Sequence, residues 1–133
     1  MYVIVVGGGA VGYYMSRDLL ERGHELTLIE KDARRAEWLE IQLGSVVMRG
    51  DGCEGKLLSQ TGISRADAIV AVTGEDEDNL IALQMAKLHF KVKKTIARVN
   101  NPSNVEIFQA LGVDKAVSAT ARLLAALEMP ITD

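Results

Sequence analysis

Short aliphatic and β-branched runs alternate along this chain with longer stretches whose apolar positions recur at helical spacing. Tyr2 to Val6 is apolar at every position, the pattern of a parallel strand covered on both faces. A glycine cluster follows, and Ala10 to Arg22 reads as a helix closed by Gly23 at its C′ position. Leu26 to Ile29 is a second strand, ending at Glu30. Asp32 suits the N-cap of a helix reaching Leu43, with Ala33, Ala36, Leu39 and Leu43 along one side and Gly44 as its stop.

The same rhythm continues to the end. Val46 to Met48 is a short third strand leading into Gly50, Asp51 and Gly52, then a short helix over Glu54 to Gln60. Ala68 to Val72 is a second unbroken buried run, followed by a helix over Asp78 to Phe90. Thr95 to Val99 is a strand, and Pro102 to Leu111 a helix that proline can open at its first position. A last strand, Ala116 to Ser118, precedes a helix from Thr120 to Met129 that Pro130 is expected to terminate. Six strands in alternation with helices predict an α/β Rossmann-type fold. Its doubly wound parallel sheet takes the order 3-2-1-4-5-6, with helices on both faces. The ligand crevice of such a sheet lies where the order reverses, beyond the carboxyl ends of strands one and four.

Length and composition narrow this further. A chain of 133 residues fits one domain, and no repeat, linker or low-complexity segment divides it. The net charge of −3 argues against nucleic acid as a partner. No stretch approaches the roughly 18 to 20 apolar residues of a membrane span, and the N-terminus lacks the pattern of a secretion signal, so a cytoplasmic protein without direct membrane insertion is expected. The lone Cys53 cannot form an internal disulfide.

The chemistry concentrates at strand ends. Gly7, Gly9 and Gly12 form a G-x-G-x-x-G pattern, with Gly8, Ala10 and Val11 filling it. Placed between the strongest strand and a helix, such a turn presents free backbone N–H groups to a pyrophosphate. Glu30, eighteen residues after Gly12, stands where an acidic residue accepts hydrogen bonds from an adenosine ribose. Its charge disfavours a 2′-phosphate, although Lys31 beside it works the other way. Asp51, with Gly52 and Cys53, follows strand three and either borders the adenosine or serves as a turn residue. Thr73 and Gly74 end strand four on the opposite lip, with Asn79 near enough to join them. The run Glu75 to Asp78 complements a helix dipole. Arg98 interrupts an apolar strand, so it either meets an anion or pairs with that acidic run. Neither His24 nor His89 has a recognisable acid–base partner, and no nucleophile elbow, zinc motif or Walker lysine occurs. Catalysis is not expected.

In order along the chain, Gly7 to Gly12, Glu30, Gly50-Asp51, Thr73 with Asp76, Glu77 and Asn79, and Ile96-Ala97-Arg98 resemble one family. It is the nucleotide-binding N-lobe of RCK domains, also called KTN or TrkA-N domains, and the resemblance covers nearly the whole chain. It implies a single N-lobe over residues 1–133, without the C-terminal RCK lobe, that senses NAD or NADH, or alternatively ATP, ADP or AMP. It also implies assembly as a homodimer or larger ring, and a peripheral place at the inner face of the cell membrane on a Trk/Ktr-type potassium transporter or channel. Many members carry arginine where this chain has Ala10, and Ala-Thr where it has Gly52-Cys53. The first departure favours NADH over ATP. The alternative to a sensor is the cofactor-binding domain of an NAD-dependent oxidoreductase that lacks its substrate domain.

The residues also point to self-association. Leu80, Ile81, Leu83, Met85 and Leu88 leave one helix apolar around much of its circumference, more than a sheet-facing stripe needs. Val105, Ile107, Phe108 and Leu111, then Leu123, Leu124 and Leu127, add to that surface in the next two helices.

Overall fold

The computed structural model describes residues 1–132. Six parallel strands form one sheet in the order β3-β2-β1-β4-β5-β6, as the alternation predicts. They are β1 (Tyr2–Val6), β2 (Glu25–Glu30), β3 (Val47–Arg49), β4 (Ala68–Ala71), β5 (Lys94–Val99) and β6 (Lys115–Ser118). The helices are α1 (Ala10–Glu21), α2 (Ala33–Leu43), α3 (Gly55–Ser59), α4 (Asp76–Leu88), α5 (Val105–Ala110) and α6 (Ala119–Thr132).

Right-handed crossovers divide the helices between the faces. On one face Val3, Val5, Leu26, Leu28, Val70 and Val72 meet Leu39 of α2 and the inner side of α1. On the other, Ile4, Val6, Ile69, Ala71, Ala97 and Val99 meet Leu58, Leu83, Ala86 and Phe108. β1 lies between β2 and β4 and is buried at all five positions, which is why it reads as an unbroken apolar run.

The ends of the elements follow local chemistry. Gly23 takes a positive φ of 85° after α1, and the His24 N–H returns to the carbonyl of Leu19 while that of Gly23 returns to Leu20, a Schellman closure. Asp32 caps α2 by accepting the Arg35 N–H at 2.8 Å.

Most boundaries shift from the sequence expectation by one or two residues, and three of the differences have a physical reason. α4 begins at Asp76, two residues early, so the acidic run forms its first turn instead of preceding it. Pro102 to Asn104 is a separate 3-10 turn before α5. Pro130 does not end the last helix: α6 continues through it to Thr132. Proline removes one N–H and crowds the carbonyl four residues back, but no residue of α6 is buried, so water can satisfy the freed carbonyl.

A carboxylate knot ties the start of α4 to the chain that leaves β5 and to the 3-10 turn before α5. Asp76 accepts the N–H groups of Asn100 (2.6 Å) and Asn101 (2.9 Å) and the side-chain amide of Asn104 (2.9 Å). Burial by itself would raise its carboxyl, but these hydrogen bonds outweigh burial and hold it below the usual range. Asp114 is lowered chiefly by the Thr95 N–H, with further bonds from the Thr95 hydroxyl and Lys87. A carboxylate depressed on folding contributes stability that is complete above its unfolded pKa of about 3.9 and is lost as pH falls through the lower folded value. The melting temperature should therefore hold steady from neutrality to about pH 5 and drop steeply below about pH 4. Asp76→Asn should flatten that drop, which differential scanning calorimetry across pH will show.

Candidate functional site

The carboxyl ends of β1 and β4 part company because the chain reverses direction across the sheet there. A cleft of about 290 Å³ opens at that point. Gly7, Gly8 and Gly9 form its floor, Glu30, Lys31, Asp51, Gly52 and Cys53 one wall, and Thr73, Gly74 and Arg98 the other.

Each glycine of the turn meets a different constraint. Gly7 has a φ of +107°, and a Cβ there would lie 2.9 Å from the Thr73 nitrogen. At Gly8 a Cβ would press on Leu39, 2.3 Å away. At Gly12 it would sit 1.8 Å from the Gly7 carbonyl oxygen, so β1 and α1 can approach only if that position is bare. Gly9 differs from all three, since a Cβ there would meet nothing within 4 Å. Its openness serves no internal packing. What it leaves uncovered is the start of α1, whose first N–H groups have no partner within the helix and favour an anion.

Glu30 is locked in place. One carboxylate oxygen accepts the Gly8 N–H at 2.8 Å and the other the Asp32 N–H at 2.7 Å. Arg35 donates its Nε to the Gly8 carbonyl at 2.7 Å, so Gly8 is held at both ends. A carboxylate fixed by backbone donors keeps further lone pairs directed into the cleft for hydroxyl groups.

Asp51 meets both halves of its sequence reading. It accepts the Cys53 N–H at 2.8 Å as a turn residue does, and it also lines the cleft. Burial first, then the nearby Asp78 and Asp51 carboxylates, push the Cys53 thiol up to about 12. It is no nucleophile at neutral pH.

Arg98 lies in the opposite wall, and its Nε is buried without a hydrogen-bond partner. Of the two sequence alternatives, an ion pair with the acidic run is not formed among the described residues. A buried guanidinium nitrogen left unpaired is costly unless an acceptor arrives from outside the chain.

Asn79, expected beside Thr73 as a cofactor contact, is placed behind the wall instead. It is fully buried, its oxygen accepts the Thr73 N–H (3.0 Å) and hydroxyl (2.6 Å), and its nitrogen donates to the carbonyls of Thr73 (3.1 Å) and Arg98 (3.0 Å). With those bonds made, it ties the ends of β4 and β5 together within one wall and has little left for a ligand. Ala10, Val11 and Gly12 likewise stand off the cleft surface, as the first turn of α1. The sequence reading missed Glu75 and Asp78, which line the cleft. Their i, i+3 spacing, from the N-cap of α4 into its first turn, was the available signal, because such residues share a helix face. His24 and His89 are not part of the cleft.

A doubly wound sheet with a bare glycine turn at its switch point, a fixed carboxylate at the end of β2 and an arginine with a buried, unpartnered Nε opposite defines a Rossmann nucleotide-binding domain. The chain belongs to the TrkA-N domain family, whose profile matches residues 3–119. It is 42% identical over 128 residues to the Trk system potassium uptake protein TrkA of Mycobacterium tuberculosis, covering 96% of this chain and 57% of that protein. A Trk system potassium uptake protein TrkA homolog of Methanothermobacter thermautotrophicus is 37% identical over 132 residues, 99% of this chain and 61% of that one. The chain thus spans about three-fifths of these relatives' length. Among solved structures, GsuK bound to ADP superposes with a TM-score of 0.81 at 27% identity, over 95% of this chain and 32% of that one. The TrkA-N domain of the Escherichia coli inner membrane protein ybaL shares the fold, with a TM-score of 0.86 at 19% identity over 99% of this chain and 96% of that one.

Proposed function

We propose that the cleft binds NAD or NADH, and that occupancy regulates a Trk/Ktr-type potassium transporter or channel without any reaction at the site. The observation that carries the reading is the pairing of an open Gly9 with an unpartnered buried Arg98 nitrogen across the cleft. One offers backbone N–H groups to a diphosphate, and the other needs an anion or a carbonyl. Glu30 takes the adenosine ribose and Asp51 the adenosine side, while Lys31 stands at the rim. The far ribose lies toward Thr73, Gly74, Glu75 and Asp78.

Charge supports a dinucleotide over ATP. Glu75 and Asp78 can accept hydrogen bonds from sugar hydroxyls but repel a terminal phosphate, and Ala10 supplies no cation to offset them.

Calorimetric titration with NAD, NADH, ATP, ADP and NADPH side by side tests the assignment. NAD or NADH should bind with the greatest affinity and NADPH far more weakly. Glu30→Ala should cost the preferred ligand about tenfold, the worth of a charge-assisted hydrogen bond. Unchanged affinity would place the ribose elsewhere.

The chain acts in this reading as an N-lobe in a homodimer or larger ring, peripheral to the cytoplasmic face of a membrane-embedded potassium transporter subunit. No helix among the described residues is long and apolar enough to cross a membrane. Leu83 and Phe108, expected on that surface, face the protein's own core, but apolar side chains left uncovered on three helices support assembly. Ile81 and Leu88 of α4, Ile107 of α5, and Leu123, Leu124 and Leu127 of α6 all remain exposed. Sedimentation velocity should show an oligomer that grows with concentration and changes shape with NADH. A monomer under both conditions would remove that part of the reading.

A further inference from the structure

The glycine turn leads from β1 into α1 through three successive peptide groups, and a different partner fixes each of them. The N–H of the first, between Gly7 and Gly8, is held by Glu30 at 2.8 Å. The carbonyl of the third, between Gly9 and Ala10, accepts the Tyr13 N–H at 2.9 Å as α1 begins. The middle peptide, between Gly8 and Gly9, is tied at one atom only. Its carbonyl accepts Nε of Arg35 at 2.7 Å, and among the described residues no other donor reaches it. Its N–H, the amide of Gly9, has no acceptor among the described residues, and Gly9 is exposed on the floor of the cleft.

That middle peptide is also the least constrained by its own chemistry. Glycine flanks it on both sides, so no Cβ selects between its two orientations. Turning it over would take Gly9 from its φ of −68° to a positive value, which glycine adopts about as readily. For an anion the two orientations have opposite signs. In a planar trans peptide the C=O and N–H point in opposite directions. With the carbonyl turned to Arg35 of α2, the Gly9 N–H points away from α2. In the reversed form the carbonyl oxygen takes its place and repels a phosphate.

Arg35 is itself held from outside the cleft, which it does not line. It stands one turn before Trp38 on α2, with its guanidinium 4.4 Å from the centre of that ring. Tyr13 of α1 meets the same ring edge to face at 5.0 Å. Aromatic packing between the two helices thus fixes the donor that fixes the turn.

We propose that Arg35 is a positioning residue for anion binding, setting the Gly8–Gly9 peptide with its N–H toward the cleft before any nucleotide arrives. It acts through the backbone and touches no ligand. This role rests on the reading of the cleft as a nucleotide site, and it makes the turn preorganised by a side chain from α2.

Two substitutions of similar length separate the hydrogen bond from the charge. Arg35→Gln carries an amide nitrogen as many bonds from the backbone as Nε, so the donor stays while the charge goes. Arg35→Met removes both. Each variant of the full chain is followed by thermal melt, by calorimetric titration with NADH, and by NMR relaxation dispersion at the Gly9 amide without nucleotide. Both should melt close to the parent, because a freed Gly8 carbonyl can turn to solvent in the cleft. Arg35→Met should bind NADH about tenfold more weakly and show exchange broadening at Gly9. Arg35→Gln should stay within about threefold of the parent, with one sharp Gly9 signal. Equal losses in the two variants would assign the effect to charge and overturn the proposal. So would a Gly9 signal in Arg35→Met that matches the parent's. A parent that fails to bind NADH would remove the nucleotide reading instead, and the Gly9 signal would still decide whether Arg35 fixes that peptide.

Discussion

Gly9→Ala should leave the fold unchanged and weaken nucleotide binding by about a hundredfold, close to 2.7 kcal/mol. The backbone at Gly9 is extended, with φ −68° and ψ −163°, which alanine adopts without strain. Its Cβ would touch no protein atom within 4 Å, so there is nothing inside the molecule for it to disturb. What it occupies is the space through which a diphosphate reaches the first amides of α1. Holding that anion one methyl further out lengthens several hydrogen bonds at once, and their strength falls steeply with distance. The measurement is calorimetric titration paired with a thermal melt of the free protein. A melt like the parent's together with lost affinity is the expected outcome. Retained affinity would mean that the phosphates do not pass over this turn.

Gly12→Ala should do the reverse, disrupting the fold first. A Cβ placed 1.8 Å from the Gly7 carbonyl oxygen cannot be accommodated by a side-chain rotation, because the obstructing atom is backbone. Either α1 lifts from β1 or the turn opens, and both uncouple the two elements that carry the core of that face. A loss on the order of 4 kcal/mol is expected, near the upper end for a single substitution and comparable with much of a domain's total stability. Urea unfolding will show a sharply lower midpoint or no folded baseline at all. Two alanines three residues apart in one motif should thus separate binding from folding. A parent-like midpoint for Gly12→Ala would mean that the close approach of β1 and α1 carries little of the stability.

The sheet was legible because its central strands are buried on both faces, which leaves unbroken apolar runs at Tyr2 to Val6 and Ala68 to Val72 that no exposed element could carry. The glycine turn was legible because its context, strand before and helix after, is itself visible in the sequence. Arg98 announced itself as a charge in an apolar strand. Side-chain direction was harder. Within the acidic run, Asp76 turns toward Asn100, Asn101 and Asn104, whereas Glu75 and Asp78 face the cleft, and a uniform stretch of like charges gives no hint of that division. Asn79 misled for a related reason. An amide near a binding loop looks like a ligand contact, yet its partners are backbone groups of residues 73 and 98, brought to it only by the tertiary fold. Pro130 misled because a helix breaker acts by what it does to buried hydrogen bonds, and α6 has no buried residue.

The wall of the cleft contains the chain's sole sulfhydryl, which burial and the neighbouring Asp78 and Asp51 carboxylates push up to about 12, so it stays a thiol near neutral pH. Peroxide and disulfide exchange consequently pass this domain by at that position. The same reluctance has a practical side. Cysteines introduced elsewhere for maleimide dyes or spin labels should react alone at neutral pH, with Cys53 left in place.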